Sequence, residues 1–142
     1  MNKQVLAEAT VAKMYERDAA SRGLGIIVEE VTSGCATVSM LVRPDMLNGH
    51  AICHGGTIFT LADTAFAFAC NTYNANTVAA GARIEFLAPA HEGDRLVATA
   101  TEVSLRGKTG VYDVVVCNEA GDQLALFRGN SFRIQGSILD HG

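Results

Sequence analysis

An α+β domain, one long buried helix set against a curved antiparallel sheet, is the fold class this sequence predicts. Three observations carry it. Residues 55–70 are small or apolar on every helical face, broken only by a stripe of Thr57, Thr60 and Thr64 and by Asp63, which is the pattern of a helix covered on most sides. Everything after that segment reads as β-rich runs separated by turn residues. The order is helix, two strands, buried helix, four strands, in 142 residues without an internal repeat, linker or low-complexity tract. That length suits one core, and one helix layer on one sheet is a stable way to bury it.

The elements follow in order. Lys3 to Arg22 is expected to be one amphipathic helix, with Val5, Ala9 and Ala12 near one face and Gly23 and Gly25 ending it. Ile26–Val31 and Ala36–Val42 read as strands joined by a hairpin turn at Thr32-Ser33-Gly34. Pro44 ends the second strand and opens a loop to His54. The long helix starts at Gly55 and runs to about Asn71. Thr77–Leu87, Arg95–Leu105, Gly110–Cys117 and Leu124–Ile134 complete the sheet. The expected organisation is a single domain over 1–142: N-terminal helix 1–23, core 24–136, tail 137–142. Edges at Ile26–Val31 or Thr77–Leu87 need covering, which a second subunit continuing the sheet would do.

Composition narrows the function classes. The chain is 49% hydrophobic and 18% charged, with a formal net charge of −4, and lacks the basic stripe that nucleic-acid binding requires. No apolar run approaches the roughly 20 residues of a membrane span. Lys13, Glu16, Arg17 and Asp18 interrupt the region where a signal peptide would need an uncharged core. Cys35, Cys53, Cys70 and Cys117 form no Cys-x-x-Cys pair and read as reduced thiols, so the expected location is cytoplasmic.

Chemistry concentrates around Asp63. Between Asp45 and Arg83 it is the one Asp, Glu, Lys or Arg, and a carboxylate in low dielectric loses several kcal/mol of hydration. It suits a general base or a nucleophile; the plainer alternative is an Asp bonded to Thr60 or to backbone. Burial is expected to raise its pKa. Upstream, Gly55 and Gly56 offer free N–H groups at the positive end of the long helix, without a Cβ to obstruct an approaching carbonyl. That arrangement suits an oxyanion. Asn48 can hold water or substrate, or simply form a turn with Gly49. His54 can bond an acyl group or serve as a structural histidine. His50, Cys53 and His54 make weak zinc spacing, and Gly129-Asn130-Ser131 is not a nucleophile elbow. Gly55 and Asp63 lie eight positions apart, about 12 Å along the axis and about 80° around it. One carbonyl cannot reach both within a chain, whereas a two-fold axis pairing two such helices antiparallel brings one to the other.

Asn48-Gly49, His54-Gly55-Gly56 and Leu61-Ala62-Asp63, continued by Met46-Leu47-Asn48-Gly49-His50, Ala62-Asp63-Thr64-Ala65-Phe66-Ala67, Gly110-Val111-Tyr112-Asp113 and Ala125-Leu126-Phe127-Arg128-Gly129, form a pattern that resembles the hotdog-fold acyl-CoA thioesterases. The nearest likeness is to those of phenylacetate degradation, which act on hydroxyphenylacetyl-CoA. The resemblance covers nearly the whole chain. It implies a hotdog fold and hydrolysis of aromatic or medium-chain acyl-CoA thioesters without cofactor or metal. The implied assembly is a homodimer with shared active sites, itself part of a dimer of dimers. Asp63 is then base or nucleophile, Gly55 with Gly56 the oxyanion donor, and Asn48 the positioner of water or thioester. Phe59, with Leu61 and Phe66, would line the acyl pocket. The CoA phosphates would find Arg106-Gly107-Lys108-Thr109 and Arg128. Some members carry a Ser or Thr on the strand after the helix, but Val78–Arg83 has no hydroxyl, leaving Thr64 or Asn48 to serve. Two other functions fit the same residues: a hotdog hydratase or dehydratase pairing His54 with Asp63, and a non-catalytic acyl-CoA-binding module.

Overall fold

The computed structural model describes residues 1–140; His141 and Gly142, the end of the expected tail, lie outside the described residues. Its elements are α1 (Lys3–Arg17), α2 (Ala19–Gly23), β1 (Ile27–Thr32), β2 (Cys35–Leu41), α3 (Gly55–Asn71), β3 (Thr77–Phe86), β4 (Arg95–Arg106), β5 (Thr109–Cys117) and β6 (Gln123–Arg133), with a single 3₁₀ turn at Pro44–Met46. The strands form one antiparallel sheet in the order β1-β2-β4-β5-β6-β3. β1 and β3 are its edges, as expected from the sequence.

Strict alternation along β5, with Gly110, Tyr112, Val114 and Val116 buried, turns one face of the sheet toward α3. Leu61, Ala65, Phe66 and Phe68 of α3 are buried with Val38 and Met40 of β2 and Leu96 and Ala98 of β4. Each large side chain so buried contributes about 1.5–3 kcal/mol. Phe66 packs against Tyr112 and Phe127 at 5.8 Å between ring centroids. It crosses Gly129 so closely that a Cβ there would lie 2.7 Å from the ring. Irregularities at Val28/Glu30, Ala79/Gly81 and Glu102/Ser104 bend the strands around the helix.

Two expectations are corrected. The N-terminal helix is not continuous to Arg22. Asp18 takes φ −92°, ψ 83° and its carboxylate accepts from the Ser21 N–H, so it ends α1 and caps α2. Its buried face is Ala7, Thr10 and Val11, whereas Val5 is 48% exposed and Ala12 also faces solvent. As expected, α3 is covered on most sides rather than all round. Gly56, Thr60, Asp63 and Ala67, spaced four, three and four apart, form a stripe that neither sheet nor N-terminal helices bury. Among the described residues no helix is long and apolar enough to cross a membrane. All four cysteines are free, Cys53 and Cys70 buried, Cys35 and Cys117 half-buried.

Candidate active site

The loop before α3 is tied down residue by residue. Leu47 bridges Cys53, the Asn48 N–H donates to the Ile52 carbonyl at 2.8 Å, and the Cys53 N–H to the Ala90 carbonyl at 2.8 Å. Asn48 Oδ1 accepts from the N–H of His50 (2.9 Å) and of Ile52 (3.4 Å). The turn reading is therefore right for this oxygen, while among the described residues the Nδ2 amide donates to nothing. Ala51, at the apex, holds φ +59°, a left-handed conformation costing about 1–2 kcal/mol.

His54 is the N-cap of α3. Its Nδ1 accepts the Gly56 N–H at 3.0 Å, so in the neutral ring the proton sits on Nε2, which is left as an exposed donor. This corrects one assignment and matches the structural reading of His54. His54 has a structural task at the helix start, and Gly56, whose N–H is spent on it, is not an oxyanion donor. The Gly55 N–H differs. As the first residue of α3 it has no intrahelical acceptor, and among the described residues no other group takes it. It opens beside a cleft of about 390 Å³ bounded by Asn48, Ile52, Cys53, Ile58 and the β3 end, Phe86 to Pro89. Phe86 leans over Gly55, its ring 3.1 Å from where a Cβ would stand. The sequence reading missed Phe86 and Leu87. Their signal was an apolar pair at a strand end, where strict alternation would place one polar residue.

Asp63 does not line this cleft. It sits half-buried on the open stripe of α3, and among the described residues no hydrogen bond or ion pair engages it. Burial pushes its pKa up, and the nearby Asp18 carboxylate adds to the rise. The unbroken helix keeps it about 12 Å from Gly55 along the axis. One chain thus unites Gly55 with Asn48 and leaves Asp63 apart.

The remaining candidates scatter. Phe59, one turn before Asp63, is half-buried and meets Phe127 edge-on at 5.3 Å. Thr64 is buried, its hydroxyl shared between the Thr60 carbonyl (2.7 Å) and the Ser21 hydroxyl (3.0 Å). It makes no bond to Asp63 and does not replace the hydroxyl absent from β3. Arg106, Gly107, Lys108 and Thr109 form the exposed β4–β5 hairpin, with Gly107 at φ +59°. Gly107 and Lys108 border a small pocket with Cys70 and Tyr73, some ~22 Å of helix from Gly55. Arg128 is exposed and bound in two hydrogen bonds by Asp113 (2.6 and 2.8 Å). His50, Cys53 and His54 recruit no further ligand, since among the described residues no three His, Cys, Asp or Glu gather as a metal-holding group.

Comparison with known proteins agrees with this architecture. Residues 50–125 match the family model described as the thioesterase superfamily. Over 126 residues the chain is 51% identical to the acyl-coenzyme A thioesterase PaaI of Escherichia coli (strain K12), covering 88% of this chain and 89% of that protein. The structure of the E. coli PaaI protein from the phenylacetic acid degradation operon is similar with a TM-score of 0.94 and 45% identity, covering 96% of this chain and 99% of that one. A mutant structure of the phenylacetic acid degradation protein PaaI from Thermus thermophilus gives a TM-score of 0.80 and 40% identity, over 82% of this chain and all of that one (100%). The chain therefore belongs to the thioesterase superfamily: it is a thioester hydrolase with the hotdog fold.

Proposed function

We propose that this hydrolase cleaves acyl-CoA thioesters of the (hydroxy)phenylacetyl or medium-chain kind to the free acid and CoA, in phenylacetate catabolism in the cytoplasm. The observation that carries the reading is an unpartnered carboxylate, Asp63, on the open stripe of a helix whose first residue, Gly55, has an unpartnered N–H and lines an apolar cleft. Each is half of a site. In a homodimer pairing two α3 helices antiparallel about a two-fold axis, Asp63 of one protomer meets Gly55 and Asn48 of the other. The exposed β3 edge gives that dimer a way to continue the sheet, and two dimers would associate as a tetramer. The chain would act as one domain, with residues 1–23 as its helical N-terminal part, 24–136 as its core and 137–142 as its tail.

In this site the thioester carbonyl accepts from the Gly55 N–H, with the positive end of α3 stabilising the developing oxyanion. Asn48 Nδ2 orients the water or the thioester. Asp63 takes the proton of that water, or attacks the carbonyl itself. Its raised pKa makes it a stronger base than an ordinary aspartate. The thiolate of CoA leaves without needing a strong acid, so one carboxylate and one oxyanion site suffice. Phe59, beside Asp63, suits the acyl group, while the hairpin Arg106 to Thr109 suits the CoA phosphates. Arg128 already serves Asp113 and contributes less to that end.

Thiol release measured over a panel of acyl-CoAs, wild type beside Asp63→Asn, tests the proposal. The variant is expected to lose about a hundredfold or more in kcat. Equal rates would discard the mechanism, and hydration of an enoyl-CoA without thiol release would discard the reaction.

A further inference from the structure

The break between α1 and α2 sets a second acidic residue close to the turn of α3 that carries Asp63. Asp18 ends α1, its N–H donating to the Tyr15 carbonyl at 3.1 Å. Its carboxylate then accepts twice from Ser21, from the N–H at 2.9 Å and from the hydroxyl at 2.6 Å. Ser21 is only 2% exposed, and its oxygen lies 3.0 Å from that of Thr64, which in turn bonds the Thr60 carbonyl. Two hydroxyl protons serve these three hydroxyl contacts, so Ser21 gives its own either to Asp18 or to Thr64. When it bonds Thr64, the Ser21 N–H still holds the Asp18 carboxylate, and the contacts from Asp18 end on the residue next to Asp63. A continuous helix from Lys3 to Arg22 would give Asp18 no such cap to make.

We propose that Asp18 is a positioning residue for Asp63, holding Ser21 against Thr64 on the same turn of α3 and setting a second carboxylate beside that turn. This rests on the reading of Asp63 as the base. No cation offsets either carboxylate, because the ion pairs among the described residues are Lys13–Glu16, Arg43–Asp45 and Arg128–Asp113. Arg17 and Arg22 are exposed and enter none. From α1, Tyr15 spends its hydroxyl on the Ile26 carbonyl. On α3 itself, Cys70 has its thiol pushed up to about 12 by burial and stays neutral. The sheet face beneath α3 presents Val38 and Met40 from β2, Phe127, Gly129 and Ser131 from β6, and Ile84 from β3. Its titratable groups, Glu102 of β4 and Tyr112 of β5, bond one another at 3.0 Å near Cys70 rather than near Asp63. Burial comes first in raising the Asp63 pKa and Asp18 second. A like charge disfavours ionisation of its neighbour, and a more basic carboxylate abstracts a proton more readily near neutral pH.

The test combines a ¹³C NMR titration of the Asp63 carboxyl with kcat/KM against pH, on the full-length protein. Asp18→Asn removes the charge and keeps a capping oxygen; Asp18→Ser is a second neutral cap should the first unfold. Ser21→Ala keeps the charge but cuts the tie to Thr64. In the neutral variants the Asp63 midpoint and the acid limb of the profile are both expected at lower pH than in wild type. Ser21→Ala is expected to lower kcat several-fold while shifting the limb less than Asp18→Asn does. An Asp63 midpoint identical in wild type and both neutral variants overturns the inference. A midpoint that shifts while Asp63→Asn hydrolyses at the wild-type rate leaves the coupling standing and removes Asp63 as the base instead.

Discussion

A half-buried carboxylate with no donor aimed at it works against the fold that carries it. Asp63 loses hydration without gaining a hydrogen bond, and Asp18 adds repulsion. Its folded pKa therefore lies above that of the unfolded chain, the reverse of the usual salt-bridged aspartate. Between the unfolded and the folded values the native state binds more protons than the unfolded state, so stability falls as pH rises through that window. Above the folded value the whole penalty is present; below the unfolded value, about 4, it is gone. Asp63→Asn is accordingly expected to raise the thermal midpoint at pH 7, with the gain fading by about pH 3.5. Melts of both proteins at the two pH values check this, and no gain at pH 7 would refute the charge penalty. The residue was legible in the sequence because it stood alone in a long uncharged stretch. Its neighbour Asp18 was not, since an acid between Arg17 and Ala19 fits the interior of an exposed helix as well as it fits a cap.

At the scale of the element, α3 supplies the two halves of the proposed site from different parts of its length. Its boundaries, Gly55 and Asn71, were readable from the glycine pair and the apolar run. Which glycine keeps a free N–H was not, because that depends on the direction in which the His54 ring points. Gly55→Pro isolates the donor. Proline is favoured at the first helical position, His54 already has the extended φ −60°, ψ 132° that precedes proline, and the N–H removed makes no bond. Phe86, 54% exposed, can yield to the ring. The variant is expected to keep its stability within about 1 kcal/mol while kcat falls about a hundredfold. Circular dichroism melts beside thiol-release rates decide it, and retained kcat would remove Gly55 from the mechanism.

At the scale of the whole molecule, the proposed site is assembled from two chains. Asp63→Asn and Gly55→Pro lie in opposite halves of it, so a mixed dimer carries one intact site and one doubly broken one. Refolding the two inactive proteins together at equal amounts is expected to restore about a quarter of wild-type activity, since half the dimers are mixed and each has one working site of two. Activity no greater than the sum of the separate variants would refute sharing. The two exposed edges, β1 and β3, were anticipated from strand order, because an open antiparallel sheet must end somewhere. The sheet's curvature depends on bulges such as that at Ala79/Gly81; a glycine inside a strand signals a bulge locally, but not how far the sheet bends around the helix.

The sequence by itself determined the element order, the long apolar helix, the isolated acid and the incompatibility of Asp63 with Gly55 inside one chain. Those follow from composition and from the fixed rise of a helix, which are local properties. Tertiary structure alone decided the break at Asp18, the open stripe on α3, the capture of the Gly56 N–H by His54 and the meeting of Asn48, Gly55 and Phe86 at one cleft. Each of these depends on where a side chain finds its partner across the fold, and that partner lies beyond the reach of periodicity or propensity.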